Sequence, residues 1–252
     1  MGVFTEKERG ALIVSIIVLT IVFGLNDNSL IFVFSNWFYN LVRILIVVAI
    51  SLLVKEYTKK LVAGKFSCAT DYKIWNISRF WFTESAKFPL KLFGREIKSI
   101  KSIPTGIVLP LIVSLFSYGA LYLPTVGVTD VEVEYHKRVG RKFINLTDLE
   151  NAFIILSGAM ANLLVALIAA IFGLEQFVTV NIWLTLFSFL PLSDLDGTKI
   201  FFGSSTLWVL GLVFSLAVFG LLPYLTILTS IITALVIAIF ITFVYYYALE
   251  YK

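Results

Sequence analysis

A single cysteine, Cys68, and a single histidine, His136, occur in 252 residues. One cysteine excludes an intramolecular disulfide and any cysteine-rich metal site. Such a residue packs as a small hydrophobe. One histidine excludes a metal centre built on two. Charge is also scarce. Asp, Glu, Lys and Arg make up 14% of the chain, against about 25% in a typical soluble domain. The apolar share is 59% and the mean hydropathy is +0.95. The apolar residues lie in long blocks rather than at amphipathic spacing. These features predict an all-α polytopic membrane protein, folded as one transmembrane domain over residues 1–252.

Six spans are expected, over residues 11–25, 38–54, 151–174, 177–190, 207–222 and 225–246. The core is expected over 38–203, with a re-entrant and interfacial region over 65–148 and a C-terminal helical hairpin over 207–246. Lys7 and Arg9 precede the first block, which has no convincing small-residue cleavage site, so a retained helix is expected there. A seventh apolar stretch, 107–123, is interrupted by Pro110 and Gly119, with Pro124 just beyond it. It is expected to enter and leave the membrane on one face.

Charge supports this layout. Eleven cations lie between Lys55 and Lys101, and four more are Lys137, Arg138, Arg141 and Lys142. The turn over 26–37 has no Lys or Arg. Six spans and a re-entrant segment put every loop cation on the cytoplasmic side, as the positive-inside rule requires. The localisation expected is an integral protein of the plasma membrane with both termini cytoplasmic. The stretch 80–92 carries Glu84, Lys87 and Lys91 and suits an interfacial helix better than a span. Trp75, Phe80, Trp81 and Phe82 suit an interfacial aromatic belt. Anionic headgroups explain the basic run better than nucleic acid does. The partners expected are therefore the lipid bilayer and a membrane protein or transmembrane segment.

Residues 129–135 alternate polar and apolar, Gly140 follows, and 141–146 form a second short run. This pattern predicts a small cytoplasmic β-hairpin. An irregular polar loop is the alternative.

Three polar groups interrupt the apolar body. The first is Lys55-Glu56-Tyr57-Thr58-Lys59-Lys60, at the cytoplasmic end of the second expected span. Lys55 and Lys59 are four apart, so they share a helix face with Glu56 beside it. The second is Ser157-Gly158-Ala159-Met160-Ala161-Asn162. The third is Pro191-Leu192-Ser193-Asp194-Leu195-Asp196-Gly197. Each has a plain reading: snorkelling stop-transfer lysines, a small-residue helix contact, and a turn whose aspartates bond to the backbone. Topology puts the first and third on one side, which allows Glu56 and Asp196 to meet at one depth. Carboxylates at such depth are costly and usually paired or functional.

In order and spacing, the three groups resemble the motifs of the site-2 protease family of intramembrane zinc metalloproteases, especially its archaeal members. The resemblance covers about residues 5–210. Residues 50–64, ISLLVKEYTKKLVAG, resemble the His-Glu-x-x-His block with both histidines replaced. Residues 157–162, SGAMAN, resemble the second motif, with Ala159 in place of proline and with Gly158 and Asn162 retained. Residues 187–201, FSFLPLSDLDGTKIF, resemble the third, with Ser188 where many members have asparagine. The resemblance implies that Glu56 matches the general base and Asp196 the carboxylate ligand. Lys55 and Lys59 then match the two histidine ligands. A lysine binds metal only when deprotonated, and its free pKa is about 10.4.

The expectation is therefore a pseudoprotease without zinc or other cofactor. Lys55 and Lys59 would pair with Glu56 and Asp196, and the protein would bind or regulate a membrane partner, for example as an accessory subunit of a membrane complex. One alternative is an active enzyme with an oxygen-rich Mg²⁺ or Mn²⁺ site on Glu56, Asp194 and Asp196, helped by His136 or by backbone oxygens. Another is a small transporter, for which the broken stretch 107–123 is the best support.

Overall fold

The computed structural model describes residues 4–27, 32–78, 90–92, 95–97, 102–137 and 145–250. The interfacial-helix expectation over 80–89, Gly140 with 141–144, and the extreme termini lie outside these residues.

The chain opens with α1, Glu6–Gly24. Thr5 caps it in a reciprocal box with Glu8: the Thr5 hydroxyl accepts from Glu8 N, and the Glu8 carboxylate accepts from Thr5 N. This satisfies two otherwise orphaned donors. Helix α2, Phe34–Lys65, is 32 residues long, or about 48 Å at 1.5 Å per residue. It leads into β1, Cys68–Ile74, and β2, Ile77–Ser78. Two short strands follow, β3, Leu90–Leu92, and β4, Arg95–Ile97, paired antiparallel. The last three residues of the expected interfacial helix are thus extended. Strand β5, Ser102–Ile103, pairs with β2. Then come α3, Thr105–Phe116, and β6, Gly127–Val133. The rest is helical: α4, Asp148–Ile171; α5, Glu175–Phe187; α6, Asp196–Gly203; α7, Ser205–Leu221; and α8, Ile227–Tyr245. Thr147 and Glu150 repeat the capping box at the start of α4.

The protein is mostly helical, and among the described residues three helices are long and apolar enough to cross a membrane: Phe34–Lys65, Asp148–Ile171 and Ile227–Leu249. The other expected spans fall short for identifiable reasons. Helix α1 devotes its first turn to Glu6, Lys7, Glu8 and Arg9. Helices α5 and α7 have 13 and 17 residues, about 20 and 26 Å, against a hydrocarbon core of about 30 Å.

The stretch after β5 folds back on itself. Helix α3 has 12 residues with Pro110 inside it. The chain then turns through Tyr118 and Gly119, both at positive φ. Its two ends meet at Trp75, whose N–H donates to Val126 O (3.0 Å) and whose carbonyl accepts from Gly106 N (2.9 Å). A Cβ on Gly106 would overlap the Val126 carbonyl oxygen, so this closure requires glycine. The far end of the excursion lies against α1, where the Ser114 hydroxyl donates to Val22 O. Tyr122 packs on Phe23 and Trp183.

A strand forms where the alternation predicted one, but its partner differs. Strand β6 pairs antiparallel with β1, with Thr129 opposite Tyr72 and Asp130 opposite Asp71. Most of the second arm of the expected 129–146 hairpin, 141–144, lies outside the described residues, so β1 is the partner the structure shows for β6. β1 follows α2 directly and presents Cys68, Thr70 and Tyr72 on a buried face. Trp75 likewise belongs to the interior rather than an interfacial belt. It is 4% exposed and packs with Val128 and Leu195.

The main apolar core joins Leu12, Val18, Leu19 and Val22 of α1 to Val47, Val48 and Leu52 of α2 and to Val180 and Leu184 of α5. Beside it, Ile155 and Ala159 of α4 meet Phe189 and Ile200. These contacts hold α2, α4 and α6 together at the end that carries the charged residues.

Candidate functional site

Lys55, Glu56 and Lys59 occupy the inward face of the last third of α2, and all three are buried. Gly158 makes this possible. It lies on α4 against the two lysine stems, and a Cβ there would come 2.5 Å from Lys59 Cε and 3.2 Å from Lys55 Cγ. Leu195 caps α6 in extended conformation after the turn over 191–194, and Asp196 is the first helical residue. The positive end of a helix dipole favours a carboxylate there.

The Lys59 side chain is wholly buried. Its ammonium donates to Asp196 Oδ2 (2.6 Å), Thr129 Oγ1 (2.7 Å) and Glu56 Oε1 (2.9 Å). Three N–H groups thus find three acceptors, the full capacity of an ammonium. Lys55 Nζ lies 3.4 Å from the same Asp196 Oδ2. The Thr129 hydroxyl donates to Glu56 Oε2 (2.8 Å), and the Thr129 amide donates to Asp196 Oδ1 (3.2 Å). Two cations and two anions therefore form one neutral, hydrogen-bonded cluster. Such pairing is the condition for keeping charges out of water.

The electrostatics follow. Burial by itself would raise the Asp196 carboxyl, but the Lys59 and Lys55 charges more than reverse that and hold it well below the usual carboxylate range. Tyr72, in β1 beside the cluster, is driven far up by burial and by the Glu56 and Asp196 charges, so its hydroxyl stays protonated. It is hydrogen-bonded to Ser15 Oγ at 2.8 Å.

A second layer of ion pairs fixes the strands that carry Thr129. Lys199 of α6 donates to Thr129 O and to Asp130 Oδ1, both at 2.6 Å. Lys73 also pairs with Asp130. On the other edge, Lys60 donates to Glu8 Oε1 (2.6 Å) and to Thr70 O (2.7 Å). Glu8 also accepts from Tyr72 N. Both edges of the β1–β6 ribbon are therefore tied to helices.

The structure thus brings together Lys55, Glu56, Lys59, Gly158 and Asp196. It does not bring in Asp194, which is exposed on the turn before α6. His136 is exposed in a short 3-10 turn, Tyr135–Lys137. Asn162 is buried on α4, one turn beyond Gly158. Thr129 was not anticipated as a site residue. Its signal was present, because it shares strand parity with Val131 and Val133 and so falls on the apolar phase.

The residues do not fit a zinc ion. The positions that would supply two neutral nitrogens carry ammonium groups, and both carboxylates are already engaged by Lys59. Among the described residues no group of three or more His, Cys, Asp and Glu is placed to hold a metal ion. An oxygen-rich site on Glu56, Asp194 and Asp196 is not assembled, because Asp194 turns outward. No family model, curated protein or solved structure matches the chain.

Proposed function

We propose that this chain is an integral membrane protein of site-2-protease-like design whose metal centre has been replaced by a lysine–carboxylate cluster, and that it acts by binding a membrane partner rather than by proteolysis. The observation that carries this reading is the Lys59 ammonium between Glu56 and Asp196. A general base must be free to take a proton from water. Glu56 instead accepts from both Lys59 and Thr129.

The reading includes six spans with both termini cytoplasmic, in the plasma membrane. Helix α2 exceeds the hydrocarbon thickness by several turns, which suits a cluster lying near the cytoplasmic boundary. Helices α1, α5 and α7 complete the bundle as short spans, and 105–126 returns to the face it came from. The partner is an apolar transmembrane segment. A largely apolar groove of about 380 Å³ lies between the end of α2 and α4, lined by Val62, Phe66, Phe153, Leu156, Ser157 and Met160.

Photocrosslinkers at Phe153 and Leu156, activated in native membranes, test the binding role. The expected result is a discrete adduct with the same membrane protein at both positions, absent when the probe is moved to Leu228 on α8. Adducts with lipid alone would contradict it. Cleavage of a membrane substrate by the purified chain, abolished by Glu56→Gln, would contradict the non-catalytic reading.

A further inference from the structure

Two asparagines at the centre of the bundle carry polar atoms that meet no partner among the described residues. Asn162 on α4 is wholly buried, and neither its Oδ1 nor its Nδ2 has a hydrogen bond. Asn181 on α5 is also wholly buried. Its Nδ2 donates to Ser51 Oγ and Phe177 O, both at 2.8 Å, while its Oδ1 is unpartnered. Nearly all buried polar groups in native proteins are satisfied, and ordered water is the usual partner where protein supplies none.

These atoms belong to one level of the bundle. Ile154 packs with Ala63, and Gly158 touches Lys59 and Lys55. Helix α4 therefore runs antiparallel to α2, and the next turn of α4, at Asn162, faces the stretch from Lys55 back to Ser51. The Thr185 hydroxyl of α5 reaches Ala159 O at 3.4 Å. One turn back along α5 is Asn181, held to Ser51. Helical register therefore sets Asn162 at the level of the Asn181–Ser51 hydrogen bond, one turn inward from the charged cluster.

The chemistry selects the occupant. Two amide oxygens would repel an anion, and the Asn162 amide N–H groups would repel a cation. A molecule that both donates and accepts satisfies all of them, and enclosure by wholly buried side chains restricts it to the smallest. We propose that Asn162, Asn181 and Ser51 enclose a buried water site, and that this water hydrates the inner side of the Lys55–Asp196 pair. Lys55 has room for it in its donor set, since its ion contact is long at 3.4 Å whereas Lys59 is saturated. The site extends the polar cluster into the bundle and stands on these packing contacts whether or not the protein is a pseudoprotease.

Magnetic resonance on the full chain in lipid nanodiscs tests it, with asparagine labelled by ¹⁵N and the Asn162 side-chain signals assigned by their loss in Asn162→Leu. The expected result is a through-space cross-peak from the Asn162 amide protons to water, in an experiment that separates proximity from exchange. Its absence would overturn the proposal. Thermal unfolding gives an independent readout. A dry site predicts that Asn162→Leu raises Tm, since it removes two unsatisfied atoms. A hydrated site predicts a fall of several degrees, and an unchanged or raised Tm would overturn it.

Discussion

Lys59 Nζ lies 2.6 Å from Asp196 Oδ2, although 137 residues separate the two in sequence. Both side chains are essentially out of water, at 0% and 6% exposure. This contact ties α2 to α6 and places a cation beside Glu56. Removing one partner leaves a buried charge uncompensated, which typically costs about 3–5 kcal/mol. Lys59→Met is therefore expected to lower stability by about that amount, read from denaturant or thermal unfolding in detergent. Lys59→Met combined with Asp196→Asn is expected to cost less than the sum of the two single changes, because the pair is coupled. Strict additivity would mean that the contact contributes nothing as a pair.

Gly158 supplies a second test. A Cβ there would fall 2.5 Å from Lys59 Cε, and Lys59 cannot swing away without losing three hydrogen bonds. Gly158→Ala is expected to cost about 1–3 kcal/mol, the range for overpacking. In a Lys59→Ala background the same substitution should cost much less, since the stem it strikes is gone. An equal cost in both backgrounds would show that Gly158 serves helix packing alone.

Acid dependence follows from Asp196. Its carboxyl is held below its ordinary value, so the folded state binds the proton less tightly than the unfolded chain does. The resulting stability is complete above the unfolded value of about 3.9 and is lost as pH falls through the lower folded value. Asp130 contributes with the same sign: burial would raise it, but Lys199 and Lys73 hold it below the usual range. Tm is expected to fall below about pH 4, and the fall should be shallower in Asp196→Asn. An identical acid profile in that variant would remove Asp196 from the explanation.

Much of the helical layout was legible in the sequence because its apolar residues are gathered in long blocks. Helix positions follow from apolar blocks, and the i, i+4 spacing of Lys55 and Lys59 put them on one face. The depth at which Asp196 meets them was inferred from charge parity rather than from any local pattern. The pairing of β6 with β1 was not legible, because alternation marks a strand but carries no information about its partner. Asp194 and Asp196 are two residues apart and indistinguishable by composition. Asp194 lies in the exposed turn over 191–194, whereas Asp196 opens α6 and faces the cluster. Ser51 and Asn181 were missed because each is a single polar residue between apolar neighbours, and their relation lies across two helices.

Topology has its own test. With Cys68 replaced by serine, single cysteines at Tyr118 and Lys137 report on the turn within 105–126 and on the chain beyond it. Six spans predict that Lys137→Cys reacts with a membrane-impermeant thiol reagent only from the cytoplasmic face. Labelling from the outer face would mean that 105–126 crosses the membrane fully.

The most direct measurement is metal content per chain, by elemental analysis of gently purified protein, with Asp196→Ala and Lys55→His/Lys59→His alongside. A lysine–carboxylate cluster in place of a metal predicts near-zero metal in the unaltered chain and in Asp196→Ala, and about one zinc per chain in the double-histidine variant. About one metal per unaltered chain, lost in Asp196→Ala, would contradict it and make Glu56 the first residue to test for catalysis.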